Sequence, residues 1–279
     1  MEKRIYQSSQ SYNAFSIIKE IFIGYKNSFY LAKQLAMRDI SAQYRQSILG
    51  IFWAFAPVIM NASVWIFLQG TGTVKLSDTN IPYPVYVIIG TTLWTLLGEC
   101  LLMTITSVNS NKSIITKINF PKEALITLGF IKVSFNLLMK FVLIICLMFF
   151  FSTHLSVSFL WFIPILFFCV LFCVGVGILL TPLAVLYQDI TRVIPIAMQI
   201  LMYVTPVVYN IPKAGIMKTV MFMNPFTYII VDLRNCLTGG AIEYPYFFIG
   251  LVVCSIMIYL LASIVYKVSM PIITERMSS

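Results

Sequence analysis

Long apolar blocks begin at Ile48, whereas residues 1–47 mix apolar, polar and basic positions. Within YNAFSIIKEIFIG, Ala14, Ile17, Ile18 and Ile21 recur at i, i+3, i+4 and i+7, with Lys19 and Glu20 off that stripe. This is the period of a helix apolar along one face, expected to lie in the headgroup layer with that face down. Further on, blocks at 48–70, 85–108, 124–151, 159–187, 194–210 and 246–266 approach or exceed the roughly 20 residues that a helix needs to cross hydrocarbon. The segment IMKTVMFMNPFTYIIV (216–231) is apolar but broken by Asn224-Pro225. A re-entrant hairpin over about 211–235 accommodates it, because irregular backbone at membrane depth needs protein or water around it. The pattern predicts an all-α membrane protein. Its parts are an N-terminal amphipathic interfacial segment (1–47), a six-helix transmembrane domain (48–267) with an outer-side re-entrant hairpin between spans five and six, and a tail (268–279).

Composition agrees with this reading. Of 279 residues, 59% are hydrophobic and 10% charged, with mean hydropathy +0.91, far too little charge for a water-facing surface. The net charge of +9 lies mostly beside apolar spans, which favours a membrane surface over nucleic acid as partner. The six cysteines fall mostly inside apolar runs, without disulfide or zinc spacing, and no metal site is expected. No export signal is expected either, since the first apolar run of sufficient length starts near Ile48. Six crossings place both termini on one side. That side would carry Lys3, Arg4, Lys19, Lys26, Lys33, Arg38, Arg45, Lys112, Lys117, Lys122, Arg192, Lys267 and Arg276. The other would carry Lys75, Lys213, Lys218 and Arg234. The excess makes the first side cytoplasmic.

Ionisable residues inside spans are costly and therefore candidates for function. At roughly 1.5 Å per residue, Glu99 and Lys132 sit at a similar depth of about 14 Å, so an intramembrane Glu99–Lys132 pair is expected. Lys132, Asn136 and Lys140 are spaced i, i+4, i+8 and form one polar stripe on the third span. This stripe either faces a hydrated path, or Lys140 snorkels toward an interface. His154 is expected to be exposed in a short outer loop.

Residues 26–47 carry a surplus of hydrogen-bonding groups, which suggests a protein or lipid-head contact beyond simple anchoring. Here the run Arg38-Asp39, Tyr44-Arg45, Leu49-Gly50, Trp53 and Pro57 resembles the approach to the first transmembrane helix in permeases of ABC-type polysaccharide exporters. These are type-2 ABC export proteins that move O-antigen, capsular polysaccharide or teichoic acid. Three more stretches resemble the same family in order. NKSIITKINFPKE (111–123) is similar to its cytoplasmic loop between spans two and three. YQDITRVIPIAMQILMYVTPVVY (187–209) is similar to its join of spans four and five, and NPFTYIIVDLR (224–234) to its re-entrant segment. The chain departs from the pattern at Ala56, before Pro57, and at Gln188, where that family often has polar and basic residues.

The resemblance implies a homodimer paired with two copies of an ATPase subunit and moving a lipid-linked glycan across the cytoplasmic (inner) membrane. No cofactor is expected on this chain. GTGTVKLS (70–77) lacks the Gly-Lys-Ser/Thr end of a P-loop, so ATP and Mg²⁺ belong to the partner ATPase. The resemblance further implies that Lys112, Lys117, Phe120, Pro121, Lys122 and Glu123 form a coupling helix, flanked by Arg38, Asp39 and Arg45; composition alone would make this an ordinary basic loop. A glycan path would use flat rings that stack on sugar C–H faces, assigned to Trp53, Trp94 and Tyr209, together with Lys132, Asn136 and Lys140. Pro206, Asn224, Pro225 and Arg234 would form an outer gate. Alternatives are a type-2 ABC exporter of a lipid or drug, an ion-coupled secondary transporter, for which Glu99 is the single deep carboxylate, and a membrane enzyme, for which paired acid/base groups are missing.

Overall fold

The computed structural model describes residues 14–45, 47–72, 81–118, 120–151 and 157–278; His154 and residues 73–77 of the P-loop look-alike lie outside them. The described residues fold as helices without a strand: α1 (Ala14–Arg45), α2 (Ala56–Gly70), α3 (Tyr83–Ser110), α4 (Lys112–Lys117), α5 (Glu123–Phe150), α6 (Phe159–Leu186), α7 (Gln188–Tyr203), α8 (Ile216–Met223), α9 (Pro225–Leu237) and α10 (Pro245–Ser278). By length and hydropathy α3, α5, α6 and α10 can each cross a membrane, and α8 with α9 adds a fifth if that bent pair is one broken span.

The core is built around α3, which is buried along nearly its whole length, including Leu96, Leu97, Cys100 and Ile105. Helices α2, α5, α6 and α7 pack around it, and α10 lies on α6. By contrast, α5 exposes Leu138, Val142 and Phe149, and α10 exposes Ile249, Val253 and Met257. Such flanks suit hydrocarbon, where an apolar surface carries no penalty.

Two expected spans differ from expectation. The 48–70 block starts as a 3-10 turn (Gly50–Ala54), and its α-helix covers only 15 residues from Ala56. That helix rises about 22 Å, against a core of about 30 Å. Pro57 lies in its first turn, where a missing N–H costs nothing, and so marks where the regular helix can begin. The 194–210 block is shifted: α7 starts at Gln188 and ends at Tyr203. Pro206 disfavours helical backbone at Thr205, so residues 204–209 leave the helix.

The break at Asn224-Pro225 separates α8 from α9 by an 87° bend. Asn224 caps α9 by accepting from the Phe226 amide at 3.0 Å, with Pro225 at the first helical position. The amphipathic segment is one continuous 32-residue helix, docked on α5 and α10. Ile21, Ser28, Ala32, Leu35 and Ala36 are buried; the side chains of Ala14, Ile17 and Ile18 lie outside the described ones. Gly24 lets α1 close on α5, for a Cβ there would stand 2.9 Å from the Glu123 carboxyl carbon.

Candidate functional site

A cavity of about 550 Å³ opens between α2, α3, α5 and α7. Its walls combine rings (Trp65, Trp94, Tyr203) with polar groups (Glu99, Lys132, Asn136). Trp94 is held rigidly: it is buried, its Nε1 donates to the Met198 carbonyl at 3.1 Å, and it meets Phe226 edge-on. Three residues assigned to a path from the sequence do not line this space. Trp53 is exposed on the 3-10 turn, Tyr209 donates its hydroxyl to the Tyr203 carbonyl, and Lys140 is buried behind Glu99. Conversely, Trp65 and Tyr203, which the sequence leaves to interface belts and helix packing, do line it; helical spacing from Asn61, on the same face of α2, is the signal that could have found Trp65.

The expected Glu99–Lys132 pair does not form. Glu99 instead accepts from Lys140 at 2.7 Å and from Asn136 at 3.4 Å, while Lys132 reaches Asp39 of α1 at 3.4 Å. Equal depth was the wrong criterion, because helical side chains lean toward their own N-terminus. Helices α3 and α5 run antiparallel, so Glu99 leans one way along the bundle and Lys132 the other. Lys140, two turns farther along α5, leans back to meet Glu99. Among the described residues no carboxylate is left free in mid-span, since Glu99 is paired with a buried lysine.

At the other end of α3 the unwound 204–209 segment is gripped through its carbonyls. Arg234 donates one Nη2 to the Pro206 and Val207 carbonyls, each at 2.8 Å. Its guanidinium also lies over the Tyr86 ring, 3.6 Å from the centroid. The Tyr83 hydroxyl donates to the Val208 carbonyl at 3.0 Å, and the Tyr86 hydroxyl to the Tyr209 carbonyl at 3.0 Å. Asn224 donates to Thr205 Oγ1 at 2.8 Å. Gly90 is required by this approach: a Cβ would fall 2.1 Å from the Val207 oxygen. Pro206, Asn224 and Arg234 thus meet in one network, while Pro225 is exposed beside it. Tyr83, Tyr86 and Gly90 were not singled out from the sequence, although an i, i+3, i+7 face of two tyrosines and a glycine marks a backbone approach.

The α4 region divides into exposed and internal residues. Lys117, Ile118 and Pro121 are exposed and Lys112 is half-buried. Phe120 and Glu123 are buried and cannot present themselves to a partner in this conformation. Glu123 accepts from Lys267 at 2.5 Å, and Lys122 stacks on Phe120. Burial lowers the Lys122 ammonium pKa from its ordinary value. Arg38 bonds Asp39 at 2.7 Å and Asn111 Oδ1 at 2.8 Å, tying α1 to the start of α4, and Arg45 stands exposed at the end of α1. Among the described residues no group of three or more His, Cys, Asp or Glu could hold a metal ion.

Comparison with known proteins places this geometry. The profile of a transporter family described as ABC-2 type matches residues 30–238. Two proteins of Klebsiella pneumoniae, each named O-antigen export system permease protein RfbA, are 24% identical over 223 residues, covering 78% of this chain and 84% of theirs. A Myxococcus xanthus protein of the same name is 20% identical over 204 residues, covering 72% of this chain and 77% of its own.

Proposed function

Because the chain belongs to the ABC-2 type transporter family, we propose that it is the permease subunit of an exporter of lipid-linked polysaccharide, O-antigen foremost. It works as a homodimer with two copies of a separate ATPase subunit, which binds ATP and Mg²⁺. The observation that carries this reading is the cavity, where rings and hydrogen-bonding side chains share one wall. Sugars present C–H faces to rings and hydroxyls to polar groups, so such a wall holds a sliding glycan weakly at many positions. An ion-coupled mechanism lacks support, since Glu99 is already paired with Lys140.

Six crossings of the inner membrane, with both termini cytoplasmic, fit the packing. Helix α7 and its unwound tail together run beside α3 from Met198 at Trp94 to Val208 at Tyr83, the far end of that span. The 3-10 turn extends α2 toward the cytoplasmic side, and the α8–α9 hairpin caps the outer end. On the inner end, the exposed edge of α4 at Lys117, Ile118 and Pro121 supplies the contact for the ATPase.

Co-purification with a candidate ATPase subunit from the same genome tests the reading. Wild type should retain the ATPase and stimulate its ATP hydrolysis, whereas a Lys117→Glu, Ile118→Asp variant should lose that stimulation about tenfold, the equivalent of 1.4 kcal/mol of coupling. Failure of the folded wild type to bind the ATPase would sink the exporter reading. Stimulation by short-chain lipids but not by lipid-linked glycan would move the substrate to the lipid or drug class.

A further inference from the structure

Lys19, Phe22, Lys26, Phe29 and Lys33 are spaced i, i+3, i+7, i+10 and i+14. They form one exposed stripe along α1 in which base and ring alternate. Ile23, Tyr30 and Met37 expose a second apolar row beside the lysines. This flank is neither the core-facing side of α1 nor an ordinary solvated face. No acidic side chain among the described residues pairs with these three lysines.

Beneath the rings lies a second cavity, of about 290 Å³, where α1 crosses α5 and α10. Phe22 and Phe29 form one wall; Phe130 and Leu260 form the other. Its polar atoms are satisfied from within. The Tyr25 and Tyr259 hydroxyls bond each other at 3.1 Å, and Ser263 donates to the Tyr259 carbonyl at 2.8 Å. The space therefore makes no demand for water or a polar ligand and suits a hydrocarbon chain. It is also continuous with the lipid-facing flanks of α5 and α10.

We propose that this groove is a binding site for one anionic phospholipid, with an acyl chain between Phe22 and Phe29, the phosphate against Lys26, and Lys19 and Lys33, each about 10 Å along the helix, adding to the positive field around it. The two halves of the site select for one ligand class. A free phosphate would leave the groove empty, and a zwitterionic lipid would bring its own cation beside the phosphate and so offer the lysines no net negative charge. The cytoplasmic leaflet as its source follows from the proposed orientation; the chemistry of the groove does not depend on it. Bound there, the lipid holds α1 against α5, the same helix whose far end ties to Asn111 and Lys132.

The test uses the full chain in phosphatidylcholine nanodiscs with Phe22→Trp as reporter, a substitution tolerated because Phe22 is 67% exposed. Emission added by the reporter over wild type is recorded with a fifth of the lipid replaced by brominated phosphatidylglycerol or brominated phosphatidylcholine. The phosphatidylglycerol should quench at least fivefold more effectively at equal mole fraction. Adding Lys19→Gln, Lys26→Gln and Lys33→Gln should abolish the difference, each lysine near a membrane surface being worth about fivefold in affinity. Native mass spectrometry of the wild type should retain phosphatidylglycerol in preference to phosphatidylcholine. Equal quenching by both lipids, a preference that survives the triple variant, or equal retention would each overturn the assignment.

Discussion

Lys140 and Arg234 are both 4% exposed, yet the molecule accommodates the two cations in opposite ways. In mid-span, Lys140 has a carboxylate, Glu99, at 2.7 Å. At the Tyr83 end of α3, Arg234 pairs with no carboxylate among the described residues; it has two backbone carbonyls and the face of Tyr86. The difference follows from charge distribution. An ammonium is a compact charge that loses much hydration on burial and needs one strong counter-charge. A guanidinium is delocalised and more weakly hydrated, so dipoles and a ring can hold it even though the buried Arg234 Nε makes no hydrogen bond of its own. The first arrangement fixes two helices to each other. The second fixes a stretch of irregular backbone, which offers carbonyls and no side-chain charge.

Removing Glu99 should have the largest effect. Glu99→Gln leaves a buried lysine without its counter-charge and should destabilise the fold by about 3–5 kcal/mol, read by unfolding in mixed detergent. Lys140→Met should cost less, because the Glu99 side chain is 36% exposed and keeps contact with the cavity. The double variant should recover most of the loss. Equal single effects with no recovery would show that the pair does not hold α3 to α5.

Arg234→Lys tests this second arrangement and should cost about 2 kcal/mol. The charge is kept and an ammonium has donors enough for both carbonyls, but it is compact, strongly hydrated and cannot lie flat on the Tyr86 ring. The loss should be local, seen as faster hydrogen exchange at the 207–209 amides with α3–α5 unaffected. Tyr86→Phe keeps the ring and drops only the hydroxyl, so exchange there should rise less. If Arg234→Lys instead loosened the whole bundle, the clamp would be part of the core rather than a separate device.

Apolar runs made the long helices legible in sequence, and Asn224-Pro225 marked the hairpin break, because both signals are local. The partner of Glu99 was not legible. Depth along a span is read from residue counts, but the lean of a side chain depends on helix direction, so Lys140 rather than Lys132 meets it. Nor was the inward turn of Glu123, which depends on Lys267 and Gly24, each about a hundred or more residues away in sequence. The clamp around Arg234 was half legible. Pro206, Asn224 and Arg234 announce themselves as residue types, whereas Gly90 matters only through the carbonyl that approaches it.

The smallest stability effect belongs to a third cation, Arg38, whose side chain is 50% exposed. Asn111 is buried and the Asp39 side chain largely so, but the half-exposed guanidinium keeps its hydration, and such contacts contribute about 0–1 kcal/mol. Arg38→Gln should therefore leave unfolding nearly unchanged. It should nevertheless uncouple, because Arg38 joins α1 to the first residue before α4, and Asp39 passes the same connection to Lys132 on the cavity wall. ATPase stimulation should fall about fivefold with the complex still assembled. Asp39→Asn should share that phenotype, since it breaks the next link in the same chain. A normal ATPase response in both variants would confine Arg38 to local surface pairing and leave α4 to act on the bundle through its packing alone.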